Sequence, residues 1–185
     1  MEDLSKACHD ADIPLFIDGA RLGYGLVAEG NDVTLADIAR VSDVFYIGGT
    51  KVGALFGEAV VINNPNLLKH PVPLIKQHGA LMAKGRLLGV QFEALFTDGL
   101  YYEIARDVVH KAIRLKNAFI AKGYSVEVDS PTNQQFFRLP NDVVDRLKEN
   151  VSFEMWGPRG EKESVVRFVT DWTTTDAEID KLISL

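Results

Sequence analysis

The sequence predicts an α/β fold for its first half, because short apolar strands alternate with helices there. Continuous apolar runs at 15–17 and 44–47 indicate strands that are covered on both faces, and a helix-forming segment lies between them. Strand, helix, strand with short connections is typical of α/β architecture. Beyond residue 123, several strands occur with helices at about 141–149 and 175–184. This second pattern predicts a small α+β domain.

The first elements follow from helical spacing and from residues that end helices. Leu4, Ala7 and Cys8 share one face of a predicted helix over 2–11, and Pro14 excludes its continuation. The strand at 15–17 follows directly. Cys8 is expected to be a half-buried helix residue.

A second helix and a third strand complete the predicted α/β part. Thr34 opens the run TLADIARVS, where its hydroxyl can accept a hydrogen bond from a free backbone amide of the first helical turn. The strand at 44–47 follows, and 59–62 predicts another buried strand. Residues 63–80 contain three prolines, which favours an irregular segment or an exposed loop.

Two long helices connect this part to the second domain. They are predicted over 81–97 and 100–122, with a break at Asp98–Gly99 and a stop at Gly123. Strands are then expected near SVEVD, QQFFRL, VSFEMW and VVRFVT. The predicted domain limits are 1–97 for the α/β part, 98–122 for a linker helix and 123–185 for the α+β domain.

Composition excludes several classes of function. The 185 residues carry a net charge of −6 with a pI near 5.2, whereas nucleic-acid and anionic-membrane surfaces need clustered Lys and Arg. No apolar run approaches the ~18 residues of a membrane span. The single cysteine excludes a disulfide framework, and the four histidines show no ligand spacing, so no metal site is expected. An acidic start without a signal peptide predicts a cytoplasmic protein.

Three residues at two strand ends predict the chemistry. Asp18 and Arg21 follow the first strand, and Lys51 follows the second. Pyridoxal phosphate chemistry needs a primary amine, a carboxylate for the pyridine nitrogen and a cation for the substrate carboxylate. The sequence therefore predicts a pyridoxal phosphate site.

The turn around Lys51 supports that prediction. Its glycines at 48, 49 and 53 allow close approach of the backbone to a flat ring, and Thr50 adds a hydroxyl. The turn is not a Walker-type phosphate loop, because Thr50 precedes the lysine and the glycine spacing differs. GARLGYG likewise fails the dinucleotide-binding pattern.

Each of these residues also has a simpler interpretation. Lys51 can be an exposed lysine, and Asp18 can be a turn former. Arg167 lies in the apolar strand VVRFVTDW, on the face opposite Val166 and Phe168; there it is either solvated or closes over a cleft and binds a substrate carboxylate. Basic residues at 84 and 86 favour a surface role, with contact to a cofactor phosphate across a dimer as the alternative.

Several motifs together resemble the threonine aldolase family. They are IDGARLGYGL, GGTKVGALFGEAVV, KGRLLGVQF and VVRFVTDWTTTDAEID, in the family's order and with plausible spacings. This family belongs to the beta-eliminating lyase group of aspartate-aminotransferase-like, fold type I pyridoxal enzymes. The resemblance runs over essentially the whole chain and implies the last part of a large cofactor domain, linker helices and a small α+β domain.

The resemblance also implies roles for the candidate residues. Lys51 is similar to the lysine that binds the cofactor, Asp18 to the partner of the ring nitrogen, and Arg21 to the arginine near the phenolic oxygen and the substrate carboxylate. Arg167 resembles the carboxylate binder of the small domain, and Thr50 belongs to the cofactor turn. The implied reaction cleaves threonine-like β-hydroxy-α-amino acids to glycine and an aldehyde, in a homodimer or tetramer.

Family members are much longer than this chain. We therefore expect a C-terminal fragment that is poorly active or inactive alone. Two alternatives stay open: another fold type I activity (transamination, racemisation or β-elimination), and a non-catalytic dimerisation or folding module.

Overall fold

The computed structural model describes residues 1–185, which form two compact units. The first unit comprises residues 1–26 and 31–102, and the second comprises 27–30 and 103–185. Each unit contains its own sheet. The predicted domain limits at 97/98 and 122/123 stay a prediction.

The first unit contains short strands and helices around a three-stranded sheet. Its elements are α1 Glu2–Asp10, β1 Phe16–Ile17, α2 Leu22–Leu26, α3 Leu35–Val41, β2 Val44–Gly48, β3 Glu58–Ile62, a 3-10 helix Pro65–Leu67, α4 Pro71–Gln77, α5 Arg86–Phe96 and a 3-10 turn Thr97–Gly99. The strand order is β1-β2-β3, with β1 parallel and β3 antiparallel to β2. The parallel pair aligns Ile17 with Phe45, so both strands end at the same edge of the sheet.

The predicted helix cap at Thr34 is confirmed. The Thr34 hydroxyl accepts a hydrogen bond from the Asp37 amide (3.2 Å), and the Asp37 carboxylate accepts one from the Thr34 amide (3.0 Å). This reciprocal pair satisfies two amides that the helix itself leaves without acceptors.

Three predictions about the first unit need correction. Phe16 in β1 is 58% exposed and the exposure of β3 alternates, so neither strand is covered on both faces. The segment 63–80 is not irregular throughout, since it contains α4. The helix predicted over 81–97 begins only at Arg86.

The long helix α6 spans Leu100–Ala121. The predicted break before it is confirmed, since Asp98 and Gly99 have φ values of 51° and 77°. The predicted stop is confirmed as well: Gly123 has a φ of 88°, a left-handed conformation that glycine adopts at little cost.

The second unit packs helices on one face of a four-stranded antiparallel sheet. After α6 its elements are β4 Ser125–Val128, β5 Gln134–Pro140, α7 Asn141–Lys148, β6 Glu154–Met155, β7 Glu163–Val169 and α8 Asp176–Ser184. The strand order is β4-β5-β7-β6. The strand predicted in VSFEMW is reduced to two residues.

Alternation along β7 separates a core face from an outer face. Val166 and Phe168 are buried in the core with Phe137, whereas Arg167 lies on the outer face, as predicted. No helix of the structure is both long and apolar enough to cross a membrane.

Candidate active site

The turns after β1 and β2 are in direct backbone contact. The Gly48 amide donates a hydrogen bond to the Gly19 carbonyl oxygen at 2.9 Å. A Cβ atom on Gly19 would lie 1.7 Å from the Tyr46 carbonyl oxygen, and one on Gly48 would lie 2.4 Å from that of Ala20. Only glycine fits at these positions, and the contact brings the segment with Asp18 and Arg21 against the segment that leads to Lys51.

Asp18 lies at the centre of this arrangement. Its Oδ1 accepts hydrogen bonds from the Tyr46 hydroxyl and from the Ala20 amide (2.9 Å). These two donors, followed by the positive charges of Lys51 and Arg21, lower the pKa of Asp18. Asp18 is therefore a turn former, through Ala20, and also an anion that interacts electrostatically with both candidate cations.

Tyr46 is a site residue that the sequence analysis missed. The carboxylate of Asp18 raises the pKa of Tyr46 to about 12, because losing the phenolic proton would place two negative charges side by side. The parallel register predicts this neighbour, since Ile17 pairs with Phe45 and the next residues are Asp18 and Tyr46. The sequence alone does not provide that register.

The backbone around Lys51 is held by two buried tyrosines. The Tyr24 hydroxyl donates to the Lys51 carbonyl oxygen, and the Tyr101 hydroxyl donates to the Gly48 carbonyl oxygen at 3.0 Å. Both rings are fully buried, and burial raises the pKa of Tyr101, so its hydroxyl stays a donor. The Lys51 side chain is half-buried, and Thr50 beside it is exposed.

Glu58 on β3 supports the same turn. Its Oε2 accepts a hydrogen bond from the Gly49 amide at 3.1 Å, and β3 pairs Glu58 with Gly48. Glu58 lies one residue before the strand predicted at 59–62, and its carboxylate helps to position the lysine turn.

Arg21 has one unsatisfied donor. Its Nε is buried and has no hydrogen-bond partner, which is unfavourable for a charged group. An anionic oxygen of a bound molecule would satisfy this donor.

Arg167 belongs to the second unit. It donates to Gln134 Oε1 (2.8 Å) and to the Glu154 carboxylate, and its guanidinium lies 4.9 Å from the centre of the Trp156 ring. Only 15% of the side chain is exposed, so the solvated alternative does not describe this arginine.

A carboxylate–histidine pair lies at the other end of β2. Asp43 accepts hydrogen bonds from the Asn64 side chain (3.0 Å), the Leu15 amide (2.8 Å) and the His9 ring (Nε2, 2.8 Å). The hydrogen bond from Asn64 and then that from His9 are the largest causes of the low pKa of Asp43, about 2. Because Asp43 precedes β2 and Lys51 follows it, this network connects α1 to the sheet away from the candidate site.

Comparison with known proteins identifies the family. A family model described as beta-eliminating lyase matches residues 1–142. The chain belongs to this family. Members of the beta-eliminating lyase family depend on pyridoxal phosphate.

Two groups of relatives agree with this assignment. The low specificity L-threonine aldolase of a Pseudomonas species is 27% identical over 98% of this lyase-family chain, and that of Pseudomonas aeruginosa is 25% identical. The solved structure of Leishmania major threonine aldolase superposes with a TM-score of 0.94 at 41% identity over 99% of the chain.

The comparisons confirm the predicted fold. A putative L-allo-threonine aldolase of Listeria monocytogenes shares the fold at a TM-score of 0.68 and 16% identity. The family member described here therefore has the α/β fold of fold type I pyridoxal enzymes. It spans about half the length of the relatives it matches, 52% of the Pseudomonas protein and 54% of the Leishmania chain.

Proposed function

We propose that this chain supplies part of the active site of a pyridoxal-phosphate-dependent carbon–carbon lyase. The substrate is a threonine-like β-hydroxy-α-amino acid, and the products are glycine and an aldehyde. The observation that supports the proposal most is the contact between the two strand ends, where Asp18 interacts electrostatically with both Lys51 and Arg21. The names of the Pseudomonas and Leishmania relatives favour aldol cleavage over the other activities of this fold.

The residues present fit the cofactor. Pyridoxal phosphate, when bound, accepts the electron pair that is released as the Cα–Cβ bond of the substrate breaks. Lys51 would hold its aldehyde carbon through the side-chain amine. Asp18, kept ionised by Tyr46 and Ala20, would hold the proton on the ring nitrogen.

Arg21 and Thr50 would complete this side of the cofactor site. The buried Nε of Arg21 would donate to an anionic oxygen of the cofactor or of the substrate carboxylate. Thr50, next to the lysine, would contribute its hydroxyl. The Lys51 amine would also be able to move a proton whenever it is not bonded to the cofactor.

Arg167 would bind the substrate carboxylate. A guanidinium holds a carboxylate by two parallel hydrogen bonds, each worth about 1.5–3 kcal/mol as a charged pair. The support for this role is the matching sequence position and the restricted setting of Arg167 between Trp156, Gln134 and Glu154.

Borohydride trapping tests the lysine assignment. The chain is incubated with pyridoxal phosphate, reduced and digested, and the modified peptide is mapped. We expect the label at Lys51 and its loss in Lys51→Arg, whereas Lys122→Arg, which changes an exposed lysine, should label normally. A label on other lysines with Lys51 unmodified would remove the assignment.

The reaction itself is tested by incubating threonine with protein purified from its natural source. Release of glycine and acetaldehyde in equal amounts supports the lyase. A keto acid formed together with ammonia would instead identify β-elimination, and a keto acid formed only when a second keto acid is added as amino-group acceptor would identify a transaminase. The absence of any cofactor binding would favour a non-catalytic module.

A further inference from the structure

The guanidinium of Arg167 is fixed on the outer face of the second unit. Nη1 donates to Gln134 Oε1 at 2.8 Å, and Nη2 donates to Glu154 Oε2. Trp156 lies against the guanidinium and packs edge-on against Phe136, with ring centres 5.0 Å apart. These contacts leave the planar group little freedom to rotate.

One edge of this guanidinium is only half used. Nε and Nη2 point to the same side of the group and together match the two oxygens of a carboxylate. Glu154 occupies Nη2 alone, and Nε is buried without a hydrogen-bond partner. A buried charged donor without an acceptor is unfavourable, so a ligand that engages both nitrogens gains more than Glu154 does.

Glu154 is placed so that it can leave. Its side chain is 62% exposed, whereas that of Arg167 is 15% exposed. It lies on β6, a strand of two residues that pairs only with β7. Because water already reaches the Glu154 carboxylate, displacement of Glu154 into water costs less than it would for a fully buried ion pair.

We propose that Glu154 is an internal competitor for the carboxylate-binding arginine. An incoming α-carboxylate displaces Glu154 from Nη2 and also takes the hydrogen bond of Nε, which Glu154 leaves unused. Ligands without a carboxylate cannot replace Glu154 at the guanidinium of Arg167. Glu154 therefore favours the binding of amino acids over the binding of amines. The identity of the ligand as an amino acid rests on the proposed function, but the carboxylate site itself does not.

Trp156 makes the exchange measurable. The chain has two tryptophans, so the emission of Trp156 is obtained by subtracting the emission of Trp156→Phe from that of the wild type. Acetate and glycine are titrated into the 185-residue chain at constant ionic strength, with methylamine as the probe that lacks a carboxylate. We expect saturable changes with acetate and glycine, and none with methylamine.

Substitutions then separate competition from structural support. Glu154→Gln removes the competing charge and should tighten the Kd for acetate up to about fivefold. Arg167→Lys keeps the charge but lacks the two-nitrogen edge, and should weaken binding at least ~10-fold. The matched control is Glu127→Gln, which removes the carboxylate paired with Arg138 on the same sheet and should leave the Kd unchanged.

The proposal is overturned if Glu154→Gln binds acetate no more tightly than the wild type, whether or not its melting temperature falls. It is equally overturned if neither protein responds to acetate, or if Arg167→Lys binds normally. Borohydride labelling at Lys51 does not depend on Glu154. Labelling of Lys51 together with an unchanged Kd of Glu154→Gln for acetate would support the lyase proposal and reject the competitor role of Glu154. A tighter Kd without labelling of Lys51 would support the competitor role and reject the lyase proposal.

Discussion

Asp18 illustrates how much of the candidate site depends on single hydrogen bonds. Asp18 accepts hydrogen bonds from the Tyr46 hydroxyl and from the Ala20 amide. These donors lie at the two strand ends that contact each other. The carboxylate is therefore positioned and ionised before any ligand binds, which reduces the reorganisation needed on binding.

Tyr46→Phe should raise the pKa of Asp18 toward its ordinary value. The substitution removes the donor with the largest effect on that pKa and keeps the ring that packs beside Phe16. Carboxylate titration by carbon-13 NMR measures the pKa, with Tyr124→Phe as the control. An unchanged pKa in Tyr46→Phe would mean that the hydroxyl does not stabilise the carboxylate.

Asp43 should make the stability of the protein depend on acid pH. Its pKa falls from 3.8 to about 2 in the fold, so its stabilising effect is complete above pH 4 and is lost as the pH falls toward 2. Urea unfolding of the wild type and of Asp43→Asn should therefore differ at pH 6 and converge near pH 2. The exposed substitution Glu29→Gln should show no such convergence; a constant gap for Asp43→Asn would contradict the prediction.

Residue types were predictable at this scale, and their partners were not. Asp18, Arg21 and Lys51 follow apolar runs, so the sequence marks them as strand-end residues. Tyr46 and Glu58 lie inside strands, where only the pairing register shows which side chain reaches the turn. A register is a long-range property that local patterns do not contain.

At the scale of elements, the contact between the two turns depends on the absence of side chains. Gly19 shows this most clearly, since a Cβ there would overlap the carbonyl group of Tyr46. The backbone of β2 is held by both neighbouring strands, so it cannot move to make room.

Gly19→Ala should destabilise the first unit by more than about 2 kcal/mol, because a backbone clash must be relieved. The matched control is Gly25→Ala, in helix α2, where an added Cβ meets nothing within 4 Å. There alanine should stabilise by up to about 1 kcal/mol through its higher helix propensity. Urea unfolding followed by circular dichroism measures both, and equal effects of the two substitutions would contradict the clash.

Helix α4 shows why the element prediction failed between 63 and 80. The three prolines predict a loop there, but Pro71 opens α4 and Pro73 lies in its first turn. Amides in the first turn have no acceptor within the helix, so proline loses nothing at these positions. The same residue type therefore favours a loop and a helix start, and spacing alone does not separate them.

The exposure of β1 has a different cause. An apolar run shows that a strand can be buried. Whether the strand is buried depends on which other surfaces pack on it. Phe16 contacts Tyr46 on one side and remains 58% exposed.

At the scale of the whole molecule, exposed apolar side chains on the first sheet favour self-association. Val60 on the edge strand β3 is 60% exposed, and Ile62 on the same strand is 37% exposed. Edge strands with apolar side chains pair readily with other chains. We therefore propose a homo-oligomer, in agreement with what the sequence resemblance implies.

Sedimentation velocity tests this. We expect a species of two or four chains, compared with 20.5 kDa for one chain. Val60→Lys places a charge on the edge strand and should shift the population toward the single chain, while Val128→Lys, in the other sheet, serves as the comparison. A single 20.5 kDa species at all concentrations would rule out the homo-oligomer.

Fold class was predictable because both units repeat simple patterns. Alternation in β7 and the cap at Thr34 are local patterns, and the structure has both of them. The arrangement of strands β4-β5-β7-β6 needed the structure, since a sequence does not specify which strand lies beside which.

The hydroxyl groups of Tyr24 and Tyr101 hold the backbone carbonyl groups of Lys51 and Gly48 in place by hydrogen bonds. Because the main chain is held on both sides of this turn, the Lys51 amine moves only by rotation about the four carbon–carbon bonds of its side chain. Such rotations take picoseconds to nanoseconds, far less than the rearrangement of a loop. The Lys51 amine would thus exchange one bonding partner for another without any movement of the surrounding backbone turn.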